Sequence, residues 1–297
     1  MKRLPDFVII GAMKCATSTL HEQLARQPGI FMSTPKEPSF FSNDEQWARG
    51  IDWYTSLFAD APPGALCGES STHYTKLPTY PQTIDRMKQH LAPDAKFIYI
   101  MRHPIDRLIS QYIHEWTQRV ISCPIDQAID RHPELIQYSR YAMQLSLFFD
   151  AFGRTRVFPM FFERLTKEPQ SELQRACRFI GYERVPAWDD AIGEQNVSTE
   201  RLRQSPLRDA IINLPGLRTV RQKLIPQSLR DRIKEFWSMR RRPELSAINL
   251  KRLEDLFDQD LSKLGEWLGL DLNCRSFNRI ALQAIPQWRS AARAVVA

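Results

Sequence analysis

Lys14 interrupts the sequence "IIGAMKCATSTL" (9–20), between an apolar run and a string of small and hydroxyl residues. A core strand has no use for a lysine there, and an ordinary turn would carry Asn, Asp, Gly or Pro. A loop that holds a phosphate needs such a lysine, and Thr17, Ser18 and Thr19 add hydroxyl donors. A second stretch repeats the plan. In "FIYIMRHPIDRLISQY" (97–112) an apolar run ends on Arg102, Pro104 can open a helix, and Ser110 lies about two helical turns further on. A guanidinium at a strand end offers a bidentate fork to a phosphate. Two anion sites at neighbouring strand ends suit a nucleotide that carries phosphates at both ends of its ribose. The blander alternatives are a Ser or Thr helix cap in the first stretch and an Arg102–Asp106 ion pair in the second.

The elements that must position these residues alternate. "DFVIIGA" (6–12), "KFIYIMR" (96–102) and "TRVFPMFF" (155–162) read as strands, the last with Pro159 arguing for an edge. A helix is expected from about Ser18, and further helices over 80–91, 105–116, 140–152 and 168–181, the last stopped by Gly181. The clearest helical period is Leu250, Leu253, Phe257, Leu261, Leu264 and Leu268. Strands separated by helices imply an α/β fold with a central, mostly parallel sheet covered on both faces, and ligands at its carboxyl edge. The expected organisation is one domain over 1–297: a cofactor-binding core (1–184), a basic peripheral helical cap (185–245) and a last helix (246–270) packing on the core.

Composition narrows the class. With 297 residues, 43% hydrophobic and 25% charged, the chain can bury a full core. Its five cysteines are scattered without CxxC spacing, which argues against a disulfide framework or a zinc site and for reduced thiols. The apolar run near the N-terminus is too short for a secretory signal, and no stretch reaches transmembrane length, so a cytoplasmic protein is expected. The net charge of +7 is uneven: residues 201–242 hold twelve Lys or Arg against three acids. Such a segment can meet a polyanion or can be a solvated face.

The first stretch lacks the G-x4-G-K-[ST] order of a Walker A loop, because its lysine precedes the hydroxyl run. Together, "GAMKCATSTL" and "RHPIDRLISQY" resemble the 5′-phosphosulfate loop and the 3′-phosphate motif of the PAPS-dependent sulfotransferases, which use 3′-phosphoadenosine 5′-phosphosulfate. "KEPSFF" (36–41), "GIDWY" (50–54) and "GESSTHY" (68–74) are similar to the carbohydrate branch, which includes heparan-sulfate enzymes and bacterial relatives. The resemblance covers 6–181 and returns at 243–269. It implies a P-loop-like three-layer fold and PAPS as donor, leaving PAP as product, with no metal. It implies that Lys14, Cys15, Ala16, Thr17, Ser18 and Thr19 hold the 5′-phosphosulfate, and Arg102 and Ser110 the 3′-phosphate. Glu37 would be the base, and Lys36, Glu69, Ser70, His73 and Tyr74 would lie near the acceptor. His73, His103 and His114 compete as bases.

Four departures accompany the likeness. Ala16 stands where the loop usually has glycine, Ser70 where several heparan-sulfate enzymes have lysine, and Ser39 where some have histidine. The late basic loop that often closes over the nucleotide has only Arg201 and Arg203 as substitutes. The implied reaction is sulfuryl transfer to a hydroxyl, or an amine, of a glycan or small acceptor, with nucleic acid not a partner. Two other classes remain. A nucleotide kinase or NTPase would need a true Walker A loop and an acidic Mg²⁺ ligand. A non-catalytic basic polyanion-binding module would explain 201–242 but leave Lys14, Glu37 and Arg102 idle.

Overall fold

The computed structural model describes residues 3–92, 94–192 and 242–289. The basic segment 201–241, with Arg201 and Arg203, lies outside the described residues, as does most of the expected cap.

Five strands form one parallel sheet in the order β2-β3-β1-β4-β5: β1 Phe7–Gly11, β2 Ile30–Met32, β3 Leu66–Ser70, β4 Lys96–Met101 and β5 Val157–Phe161. β1 and all of β4 but Lys96 are buried, as strands covered on both faces must be. β5 is an edge strand, which accommodates Pro159 without breaking an inner ladder. The helices in chain order are α1 Thr17–Ala25, α2 Asp44–Trp47, α3 Gly50–Ser56, α4 Thr83–His90, α5 Pro104–Thr117, α6 Ile125–Arg131, α7 Glu134–Gln137, α8 Tyr141–Phe152, α9 Phe162–Lys167, α10 Pro169–Ile180, α11 Ala247–Leu268 and α12 Phe277–Gln283. The expected 80–91 helix starts only at Thr83, after a turn through Tyr80 and Pro81. Gly181 ends α10 in the left-handed conformation, at φ 90°, as its position suggests.

β1 is central. The chain leaves it toward β3 and β2 on one side and β4 and β5 on the other, so the connections diverge at the carboxyl edge and open a crevice there. The helix α11 is tied to the core in two ways. α11 lies against α8 and α5, and Asp260 on α11 accepts hydrogen bonds from the N–H groups of Ala142 (2.9 Å) and Met143 (3.0 Å) at the start of α8. An acid at a helix N-terminus is favoured by the exposed N–H groups and the dipole. Among the described residues no helix is long and apolar enough to cross a membrane, and all five cysteines are free.

Candidate active site

The loop after β1 runs directly into α1. Gly11 allows this path: a Cβ there would stand 2.2 Å from Thr75 Oγ1 and 2.9 Å from the Tyr99 ring. Lys14 and Ala16 both take positive φ, at 70° and 61°, a conformation that L-residues hold only when the surroundings impose it. Ala16 is the N-cap of α1, and no side chain caps the helix. The blander alternative, a Ser or Thr at the N-cap, is therefore not what the structure shows. The first-turn N–H groups have no acceptor within the helix, which is the arrangement of an anion site. Thr17 and Thr19 are buried and Lys14 half-buried beside them. Cys15 is fully buried, and burial pushes its thiol up to about 12, so it contributes backbone and packing but no thiolate.

Arg102, at the end of β4, donates from Nη1 to the Lys14 carbonyl at 3.4 Å and lies 4.4 Å from the Phe162 ring centroid. It makes no ion pair with Asp106, which instead faces His103 and Arg242. Tyr141 fixes the backbone of Arg102 from both sides: its hydroxyl donates to the Arg102 carbonyl at 2.6 Å and accepts from the Arg102 N–H at 3.2 Å. His103 caps α5, shares a 2.9 Å hydrogen bond with the Cys274 carbonyl, and donates its N–H to Glu163 at 2.9 Å. That makes His103 a structural residue. Ser110 lies on α5, 8% exposed. Burial, then Arg102, draws the Lys14 ammonium below its ordinary range. An anion between the two cations would attract both and oppose the lowering, so these residues fit a phosphate.

Across the crevice, the 36–41 loop is strapped to the end of β3. Glu37 donates its N–H to the Ser70 carbonyl at 2.9 Å, and the Ser39 N–H donates to Ser71 Oγ at 3.0 Å. Glu37 and Ser39 also take positive φ, at 59° and 51°. The aromatic pair behind them holds this shape. Phe40 stacks on Tyr54 at 4.7 Å, and Phe41 meets Tyr54 and Tyr74 edge-on or tilted at 5.0 and 5.7 Å. Each buried ring contributes roughly 1.5–3 kcal/mol by leaving water.

The Glu37 carboxylate accepts from Lys36 Nζ at 2.7 Å and from Thr72 Oγ1 at 3.2 Å. Burial opposes its charge, but Lys36, Lys76 and His73 outweigh that, and its pKa lies below the ordinary carboxylate range. Burial, then Lys76, brings His73 down to about 4. His114, on α5, is lowered by burial and by Lys14 and Lys76, while Glu37 opposes. Lys14, Lys76 and Glu37 all act on His114, so the end of β1 and the Glu37 loop lie within electrostatic reach of one another; the space between them is termed the chamber. Ser70 is fully buried and shares a 2.8 Å hydrogen bond with His21 Nδ1. Glu69 and Tyr74 are buried beside it, at 0% and 2% exposure. The hydroxyls of Tyr54, Tyr74 and Ser71 surround Glu69 without reaching good hydrogen-bond geometry, and burial pushes its carboxyl up to about 7. Among the described residues no group of three His, Cys, Asp or Glu could hold a metal ion.

The structure thus brings Lys14, Ala16, Thr17, Thr19 and Arg102 to one side and Lys36, Glu37 and His73 to the other, with Ser110 on α5. Lys76, Tyr141, Glu163 and Asp260 escape sequence reasoning. Lys76 directly follows "GESSTHYT", so proximity to that motif was its one available signal.

Comparison with known proteins supports the resemblance. Residues 52–190 match the model of the sulfotransferase family. The chain is 30% identical over 194 residues to human heparan sulfate glucosamine 3-O-sulfotransferase 3B1, a match that covers 62% of this chain and 48% of that protein. It is 32% identical over 120 residues to human bifunctional heparan sulfate N-deacetylase/N-sulfotransferase 2, covering 38% of this chain and 13% of the other. The chain spans about half the length of the 3-O-sulfotransferases it matches. In structure it resembles the sulfotransferase from Alicyclobacillus acidocaldarius, with a TM-score of 0.64 and 24% identity, over 93% of this chain and 99% of the other.

Proposed function

We propose that this chain, a relative of the heparan sulfate sulfotransferases in sequence and of a bacterial sulfotransferase in fold, moves a sulfuryl group from PAPS to an acceptor hydroxyl or amine. A carbohydrate or a small hydroxyl compound is the acceptor class. The observation that carries the reading is the uncapped N-terminus of α1 with Lys14 and Arg102 side by side before it, facing Glu37 across the chamber.

When PAPS is bound, the acceptor oxygen forms its bond to sulfur as the bond to the 5′-phosphate oxygen breaks, and that electron pair leaves with PAP. Lys14 and the first N–H groups of α1 neutralise the charge that grows on the leaving phosphate. Arg102 and Ser110 hold the 3′-phosphate. Glu37 takes the acceptor's proton. Its depressed pKa keeps it ionised at neutral pH, so it is ready as a base, and Lys36 and Thr72 fix its direction. Positioning supplies the rest of the rate. Glu69, Ser70 and Tyr74 form the floor that holds the Glu37 loop.

The test is incubation with PAPS and a panel of glycans and small hydroxyl compounds, read by mass spectrometry for sulfate addition and for PAP release. A sulfated product that needs Lys14 supports the reading. ATP-dependent phosphorylation of the same panel, with PAPS inert, contradicts it.

A further inference from the structure

Lys76 follows the 3-10 turn Thr72–Thr75 at the end of β3. It is only 9% exposed, and its ammonium lies 5.7 Å from the Tyr138 ring centroid. Among the described residues that ammonium makes no hydrogen bond and no salt bridge. Burial draws it down to about 8, while Glu37 and Glu115 hold it charged and Arg107 opposes them. A cation in this state has lost much of its hydration, and among the described residues no hydrogen bond replaces it.

Lys14, on the side of the α1 N-terminus, likewise has no hydrogen bond or salt bridge to its ammonium among the described residues, whereas three other cations near by have partners. Lys36 donates to Glu37. Arg107 donates to Ser139 Oγ, Gln111 Oε1 and the Leu135 carbonyl. Arg102 reaches the Lys14 carbonyl and the Phe162 ring on the phosphate side. Lys76 stands on the Glu37 side with its head unmatched.

Beyond it, residues 42–45 and 78–82 line an open cleft of about 570 Å³. Tyr80 joins cleft to chamber, since it lines the cleft and stacks on His73 at 4.9 Å. The lining includes Asp44 and Glu45 and no Lys or Arg. Asp44 is paired with Arg86, which leaves Glu45 as the lining's unpaired acid among the described residues, and Lys76 as the nearer cation.

We propose that Lys76 is an acceptor-positioning residue: its ammonium takes one anionic group, a carboxylate or a sulfate ester, carried next to the hydroxyl that Glu37 deprotonates. The identity of that hydroxyl rests on the sulfuryl-transfer reading, whereas the capture of the anion stands on Lys76 itself. A charge-assisted pair formed away from water discriminates by about 10- to 100-fold against an uncharged analogue.

The test compares two probes on the PAP-treated full chain by calorimetry at matched ionic strength: methyl β-D-glucuronide and methyl β-D-glucoside, which differ in carboxylate against hydroxymethyl. The wild type should bind the glucuronide at least about tenfold more tightly. Lys76→Met should remove that preference and leave glucoside and PAP affinities unchanged, and Lys76→Arg should restore part of it. Lys76→Gln serves as a second uncharged variant, with unchanged PAP affinity reporting an intact fold. A wild type without the preference overturns the proposal, and so does a preference that survives in Lys76→Met or Lys76→Gln. Failure of the wild type to bind PAP breaks the sulfuryl-transfer reading instead, and the two-probe comparison is then made without PAP.

Discussion

At the ends of β1 and β4 the chain presents charge with little internal compensation: an uncapped helix, a half-buried Lys14 and an Arg102 whose contacts are a carbonyl and an aromatic face. Across the chamber the same sheet edge carries compensated charge. Glu37 is paired to Lys36 and hydrogen-bonded to Thr72, and it sits over a buried Glu69 ringed by hydroxyls. In the proposed reading the first side receives an anion, which would compensate Lys14 and Arg102. In the proposed reading the second supplies the proton acceptor, and the Glu37 carboxylate itself is already paired within the fold. The difference explains why four of the five non-glycine residues with positive φ among the described residues, Lys14, Ala16, Glu37 and Ser39, fall in these two loops. Both loops hold a functional group in a direction that relaxed backbone would not give it.

Substitutions can break this contrast. The largest effect is expected from Lys14→Ala. It should lower kcat/KM by about 10³–10⁵-fold, combining lost charge stabilisation during transfer with weaker donor binding. Steady-state kinetics and PAP calorimetry should therefore both respond. Glu37→Gln should lower kcat by about 10²–10⁴-fold with nearly unchanged PAP affinity, because only the proton acceptor is removed. With Glu37 as the proposed base, activity in the wild type would require its ionised form. Its lowered pKa should place the acid limb of kcat below the ordinary carboxylate range, and Glu37→Gln should flatten that limb. If Glu37→Gln instead keeps its turnover, the compensated side is structural, and His114 becomes the next candidate base. Tyr141→Phe sharpens the receptor side. It removes the hydroxyl that fixes the Arg102 backbone and should raise the KM for donor by about 2- to 10-fold at constant kcat.

The smallest effect on turnover is expected at Glu69, and it should appear in stability. Glu69 titrates near 7 in the folded chain against an ordinary value of 4.5. Between those values the folded state holds a proton that the unfolded state has released. The stabilisation is therefore complete below about 4.5 and is lost as pH rises to about 7. Glu69→Gln should remove this dependence and gain up to about 3 kcal/mol over wild type above pH 7, measured by denaturant unfolding at several pH values. A wild type whose stability is flat from pH 4.5 to 7 would show that the floor carries no such cost.

The two sides also differ in how legible they are in sequence. β1, β4 and the α11 stripe are continuous or periodic apolar runs, and Lys14 and Arg102 stand out because they end such runs. β2 and β3 carry no such signal. β2 is three residues long, and β3 reads "LCGES". β3 belongs in the sheet because Gly68 leaves room for Phe7 and Met32, where a Cβ would stand 2.2 Å from the Phe7 ring and 2.7 Å from the Met32 sulfur. That fit is a tertiary fact with no local pattern. Lys76 is hidden for the same reason: its significance is that it is buried and, among the described residues, without a hydrogen bond or salt bridge, which no local pattern signals. The Tyr141 hold on Arg102 and the Asp260 cap on α8 join residues 39 and 118 positions apart.

The central claim is that the edge of β1 and β4 receives a nucleotide phosphorylated at both ends of its ribose. Calorimetric titration of the wild-type chain with 3′,5′-bisphosphoadenosine and with 5′-AMP tests it directly, with Arg102→Ala as the third arm. Binding of the bisphosphate at least about tenfold tighter than AMP, with the gap closed in Arg102→Ala, is the expected result. Equal affinities for the two nucleotides in the wild type would contradict the account.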